Sequence, residues 1–250
     1  MIQTPFRSNR PALRKMALLR RQIFNELKSD TSGLDIPRIK AFLKRQGISI
    51  TPFLVIHRYQ VPIFLDICRQ GGIQTEDNIT DNDLGRSYGA LHLNLVIRDS
   101  DDAITEACLV HEEVHGQSIF VPSYVEYCPY EKEIGQSRTN FGTEGDFFEE
   151  GYANIIEKRY LHEFALNVWK LSPSDYPGRA LEIINSLNPT IIPALHLANS
   201  TGNLSPLREA INSAMREDLF DEICSITDDP DGFVQMNRRL IGRYMEIRRI

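Results

Sequence analysis

Cysteine is scarce in this sequence: only Cys68, Cys108, Cys128 and Cys224 are present, and no two form a CxxC pair. That spacing argues against a thiolate zinc site and against a disulfide framework. It fits a reducing compartment, so the cytoplasm is the expected location. Long apolar runs are missing too. No stretch reaches the length that crosses a bilayer, and no membrane association is expected. The basic N-terminus lacks the continuous apolar segment of a secretory leader, although it is Arg-rich and acid-free as far as Phe24, as mitochondrial presequences are. Repeats and low-complexity segments are absent. What remains is a globular composition, 42% hydrophobic and 25% charged over 250 residues, enough for one large domain or two small ones.

The net charge of −6 hides an asymmetry. Residues 1–50 carry 11 Lys+Arg against 3 acids, a balance of +8 that leaves −14 for the rest. A basic arm of this kind can meet nucleic acid or an anionic surface, and it can equally be a solvated helix face packed on an acidic body. Two helices with a turn are expected there, over Pro11–Lys28 and about Ile36–Lys44, from apolar residues at helical spacing. From Ile48 the text "ISITPFLVIHRYQVPIFLDI" is rich in β-branched and aromatic residues and reads as strands. "SYGALHLNLVI" alternates as a half-buried strand does, and "RDSDDA" offers Ser100 or Asp101 as the cap of a helix running to about Gln117. A long loop region is expected over 118–145, then a second helix from Asp146. The remainder reads as helical, with a candidate boundary near 172–178.

The helix that ends near Gln117 carries "HEEVH", residues His111 to His115. Residues four apart on a helix differ by about 40° in direction, so both imidazoles can reach one metal ion. Glu112 lies about 100° round from His111, placed to act as general base on a metal-bound water rather than to ligate. With six histidines and 18 glutamates, a shuffled chain yields roughly 0.01 such matches, so accident is a weak explanation. A tetrahedral catalytic site needs one more protein ligand. The candidates are Glu144, Asp146, Glu149, Glu150, Glu157, His162 and the distant His57, His92 and His196. His162 lies 12 residues past Glu150, roughly 18 Å along a helix, so those two cannot share an ion.

"HEEVH" followed by "EEGYA" (residues 149–153) resembles the gluzincin metallopeptidases, in which a second helix bearing Glu-Gly-x-Ala supplies the third ligand. The likeness covers those two helices and the strand ahead of them. It implies a zinc ion on His111, His115 and Glu150, with Glu112 catalytic. It also implies a polar residue one turn after Glu150, here Asn154, orienting His111 through its ring N–H. Gly151 would let helices approach closely. The oxyanion donor is left open among Tyr124, Tyr127, Tyr130, Tyr152, Tyr160, Tyr176 and His196. A peptide substrate is expected along the edge strand "YGALHLN", where Gly89 and Ala90 allow close approach. Cys108 and Cys128 could reach the open metal position, although buried structural cysteine is the commoner case.

The expected architecture is α+β and zincin-like: a small twisted sheet with the active-site helix across it and a mainly helical C-terminal lobe. The expected division is a basic helical segment over 1–46, a metal-binding domain over 47–171 and a helical subdomain over 172–250. The expected function is zinc-dependent hydrolysis of peptide or protein substrates. Two alternatives stand beside it: a catalytically silent zincin fold that binds or regulates, and a nucleic-acid-associated regulatory protease using the basic helices.

Overall fold

The computed structural model describes residues 10–73, 79, 83–118, 146–166, 175–226 and 230–249. Nearly all of the loop expected over 118–145 lies outside them, with Tyr124, Tyr127, Tyr130, Cys128 and Glu144; so do the side chains of Ala90 and Tyr176. Among these residues the architecture is mixed α+β, mostly helical, around one small sheet of three strands. Among the described residues no helix is long and apolar enough to cross a membrane.

The sheet contains β1 (Phe53–Ile56), β2 (Gly85–Tyr88) and β3 (Leu93–Ile97) in the order β1-β3-β2. β1 runs parallel to β3 and β2 antiparallel to it, with Leu54 opposite Leu95 and Gly85 opposite Val96. Period-two alternation divides the side chains between two cores. Leu54, Ile56, Leu93, Leu95 and Ile97 join α1 (Arg10–Glu26) and α3 (Val61–Gln70) on one face. Val55 and Val96 face the other core, which runs from α2 (Ile36–Arg45) through α4 (Asp102–Ser118) and α5 (Asp146–Glu163) into the C-terminal helices. Those are α6 (Asp175–Asn185), α7 (Ile191–Thr201), α8 (Ser205–Met215), α9 (Phe220–Cys224) and α10 (Pro230–Arg248). The second core is thus continuous across residues 46/47 and 171/172.

Three local expectations are corrected. "VPIFLDI" forms α3 rather than a strand: Pro62 sits in the first turn, where its missing N–H costs nothing, and Val61, Phe64, Leu65 and Cys68 bury one helical stripe. β3 is buried at all five positions, not half-buried, because it is the central strand and both of its faces are covered. "SYGALHLNLVI" is also not one strand. Gly89–Leu91 is a 3-10 turn, and His92 takes a left-handed conformation (φ 47°) that lets β2 double back onto β3.

α4 starts where expected, with Asp101 Oδ1 accepting the Ala103 N–H at 2.9 Å. It is buried on nearly every side, including Glu106, Glu112 and Glu113. Each buried acid needs a partner to offset its desolvation. Glu106 accepts from the Asp35 N–H, the Arg38 guanidinium and the Tyr160 hydroxyl, joining α2, α4 and α5. Glu113 Oε2 accepts the Thr51 N–H at 2.6 Å, tying the helix to the chain entering β1. Burial pushes the Glu113 carboxyl up to about 8, against that hydrogen bond, which favours its charged form.

Gly116 completes this attachment. A Cβ there would lie 2.6 Å from Thr51 Oγ1 and 2.8 Å from Asn94 Nδ2, so only glycine lets α4 seat on the sheet. Gly116→Ala is therefore expected to lower stability by about 1–3 kcal/mol in urea denaturation. At an exposed helix position the same change would raise it by up to about 1 kcal/mol, so the sign identifies the cause.

Glu113→Gln isolates the buried carboxyl. Its folded pKa lies above the unfolded value of 4.5, so its contribution to stability is full below that value and lost as pH rises through about 8. The Gln variant keeps the acceptor and has no proton to lose. Its melting temperature relative to wild type is expected to rise between pH 5 and pH 8.5; a constant difference would contradict the assignment.

Candidate metal centre

α4 and α5 pack side by side and bring together His111, His115 and Glu150, whose ligand atoms all lie within 4.8 Å of one another. His111 Nε2 is 3.0 Å from His115 Nε2. Glu150 offers a different oxygen to each, Oε2 at 3.4 Å from His111 Nε2 and Oε1 at 3.2 Å from His115 Nε2. An ion bound tetrahedrally at about 2.0–2.1 Å holds its ligands roughly 3.3–3.4 Å apart, so the triangle has the dimensions of such a site. This is the metal-competent cluster among the described residues.

The outer ring nitrogens decide what the inner ones can do. His111 Nδ1 lies 3.0 Å from Glu157 Oε2, and His115 Nδ1 lies 2.8 Å from Glu149 Oε1. A carboxylate can only accept, so each Nδ1 carries its proton and donates it. On neutral rings both Nε2 atoms then present lone pairs to one point. At 3.0 Å those lone pairs repel unless a proton or a cation stands between them. Ser118 Oγ, 2.7 Å from Glu149 Oε1, fixes the second carboxylate in turn.

The electrostatics favour positive charge at this point. Burial opposes protonation of His111, but hydrogen bonds to Glu150 and Glu157 outweigh it and hold the imidazole up at about 10. Burial likewise opposes charging His115, and Glu150 and Glu149 together push it well above its ordinary value. Burial alone would raise the Glu150 carboxyl; the two histidines reverse this and hold it below the usual carboxylate range. A divalent cation meets the same demand with one centre, where two imidazolium rings would crowd each other.

Glu112, buried at 7% exposure, lies beside this cluster under the edge strand β2. A Cβ on Gly85 would stand 2.8 Å from Glu112 Oε1 and 2.7 Å from Cys108 Sγ, so glycine lets strand and helix close on each other. Burial raises the Glu112 carboxyl, opposed by His115 and His111. The same burial keeps the Cys108 thiol protonated, well above its ordinary value.

The role expected of Asn154 falls to Glu157. Asn154 is turned against α6, where a Cβ on Gly178 would lie 2.6 Å from its own Cβ, and its Oδ1 is buried without a hydrogen-bond partner. Glu157 stands seven residues after Glu150, about 20° round the helix, so periodicity could have selected it. Gly151 does admit a neighbour, but the neighbour is α6, with Leu181 and Pro177 in the space of its missing side chain. Gly89 is in the 3-10 turn, not on the strand edge; Gly85 is the glycine against Glu112. Of the other histidines, His57 pairs with Asp30 and His196 Nδ1 with the Tyr152 hydroxyl at 2.8 Å. Tyr160 is engaged by Glu106, so Tyr152, Tyr160 and His196 are committed elsewhere. Comparison with protein-family models, curated proteins and solved structures returns no match.

Losing the carboxylate behind a histidine ligand is expected to cost metal affinity without abolishing binding. Glu157→Gln should weaken the affinity by about 10–100-fold in a competitive chelator titration. Asn154→Ala should leave it within about twofold of wild type. The reverse order would restore the orienting role to Asn154.

Proposed function

We propose that the chain is a zinc-dependent metallopeptidase, with His111, His115 and Glu150 holding the ion and Glu112 acting as general base and acid. The observation that carries the reading is the convergence of the two Nε2 atoms and the Glu150 carboxylate, each imidazole backed by its own carboxylate. When bound there, zinc supplies a Lewis acid and an acidified water at neutral pH.

The chain's own groups account for the rest. Glu149 and Glu157 keep both Nδ1 atoms protonated, so the ligand nitrogens stay available and the rings do not turn. Glu112 has a carboxyl raised by burial, the condition for a group that accepts a proton from an attacking water and returns it to a leaving amine. Among the described residues β2 is an edge strand, paired only with β3, and Gly85 brings its backbone against Glu112. An extended peptide adding to that edge would lie beside the general base, its main chain held by strand hydrogen bonds. This moves the expected substrate edge from Gly89 and Ala90 to the start of β2.

Glu112→Gln removes the proton acceptor and leaves the three ligands in place. It is expected to retain the metal and to lose about 10²–10⁴-fold in kcat on a fluorogenic peptide library. Wild-type protein loaded with zinc that cleaves nothing in such a library, or a Gln variant as active as wild type, would overturn the assignment.

A further inference from the structure

Between α2 and the stretch that Gln117 of α4 fastens lies an open groove of about 550 Å³. Its walls are the last turns of α2, with Lys40, Ala41 and Lys44, and the stretch Gly47, Ile48, Ser49 and Ile50. That stretch is held in place rather than left to drift. The Ile48 N–H donates to Leu43 O at 2.9 Å and the Ser49 N–H to Gln117 Oε1 at 3.1 Å. Gly47 has φ +72°, and a Cβ on it would meet the His196 ring at 3.1 Å, so its shape needs glycine on two counts.

The charges of α2 are split between its faces. Arg38 is paired with Glu106, and Arg45 with Glu163. Lys40 and Lys44, the two cations that face the groove, form no salt bridge among the described residues. They stand one turn apart, about 6 Å between Cβ atoms. In the same lining Ile50 keeps 41% of its surface exposed, an apolar contact beside the two ammonium groups.

We propose that this groove is a docking site for an extended acidic peptide segment in which carboxylates alternate with apolar residues. Alternate side chains of an extended strand lie about 7 Å apart on one side, which matches the two lysines. The intervening side chains point the other way, where Ile50 is the exposed apolar contact. A single small carboxylate would satisfy one ammonium and leave the other unpaired; two carboxylates on one chain satisfy both. Because Gln117 and Glu113 fasten the groove wall to α4, the site lies behind the metal centre and does not overlap it. On the peptidase reading it recruits a substrate protein at a distance from the cleavage point, but the binding itself does not require that reading.

The test uses the full chain carrying Glu112→Gln, so that no probe is cleaved. Fluorescence anisotropy is followed with labelled Leu-Glu-Ala-Glu-Leu, its charge-reversed counterpart Leu-Lys-Ala-Lys-Leu, and unlabelled hexanoate as competitor. Saturable binding of the acidic peptide is expected, weakened at least tenfold by Lys40→Ala with Lys44→Ala and weakened by added salt. Metal content and melting temperature should be unchanged in that variant, which separates this outcome from any failure of the metal site. No saturable binding up to about 1 mM, equal binding of the charge-reversed peptide, or insensitivity to the lysine changes overturns the proposal. Displacement by hexanoate as effective as by unlabelled peptide overturns the peptide assignment.

Discussion

Two imidazole lone pairs aimed at one point, with a carboxylate behind each ring, are the constraint on which the site depends. Without Glu157 and Glu149 the rings could exchange tautomers and relieve their repulsion by turning one Nε2 into a donor. With both carboxylates in place tautomer exchange is closed, which leaves an added proton or a metal ion to relieve the repulsion, and Glu150 adds a third donor atom at the same point. The cluster therefore favours positive charge at this point, carried either by protons on the rings or by a metal ion.

The fold is organised to hold α4 in that position. A helix buried on nearly all sides gains little from amphipathic packing alone, so it is fixed by specific polar attachments. Glu106 links it to α2 and α5, Glu113 links it to the approach to β1, and Gly116 removes the one side chain that would lift it from the sheet. α5 is placed as firmly from the other side, since Gly151 and Gly178 let α6 press against it. The ligand geometry thus depends on contacts one layer further out than the ligands themselves.

How much of this could be read in advance differs by element. His111, Glu112 and His115 stand in a local pattern, and helix geometry alone makes the two histidines converge. Glu150 comes from a distant segment; its selection needed a resemblance, because Glu149 and Glu150 are equally good carboxylates on paper. Glu157 was visible as a candidate ligand but not as the partner of His111 Nδ1, since which groups meet across a helix pair depends on their rotation and separation. Asn154 failed for the same reason: α6 covers it, and nothing in its neighbourhood in sequence announces α6. α3 was misread because β-branched and aromatic residues carry strand propensity, whereas Pro62 in a first turn and the Val61–Phe64–Leu65–Cys68 stripe carry helix. β3 looked half-buried because alternation reports two different environments, and here both are cores.

Metal analysis of chelator-free protein, wild type beside Glu150→Ala, tests the central claim most directly. Removing Glu150 opens the triangle while leaving both histidines and their carboxylates intact. About one zinc ion per chain is expected in wild type, and its loss in the variant. Wild-type protein that takes up no ion even after incubation with zinc would contradict it, and the cluster would then be a proton-linked buried ion pair rather than a metal centre.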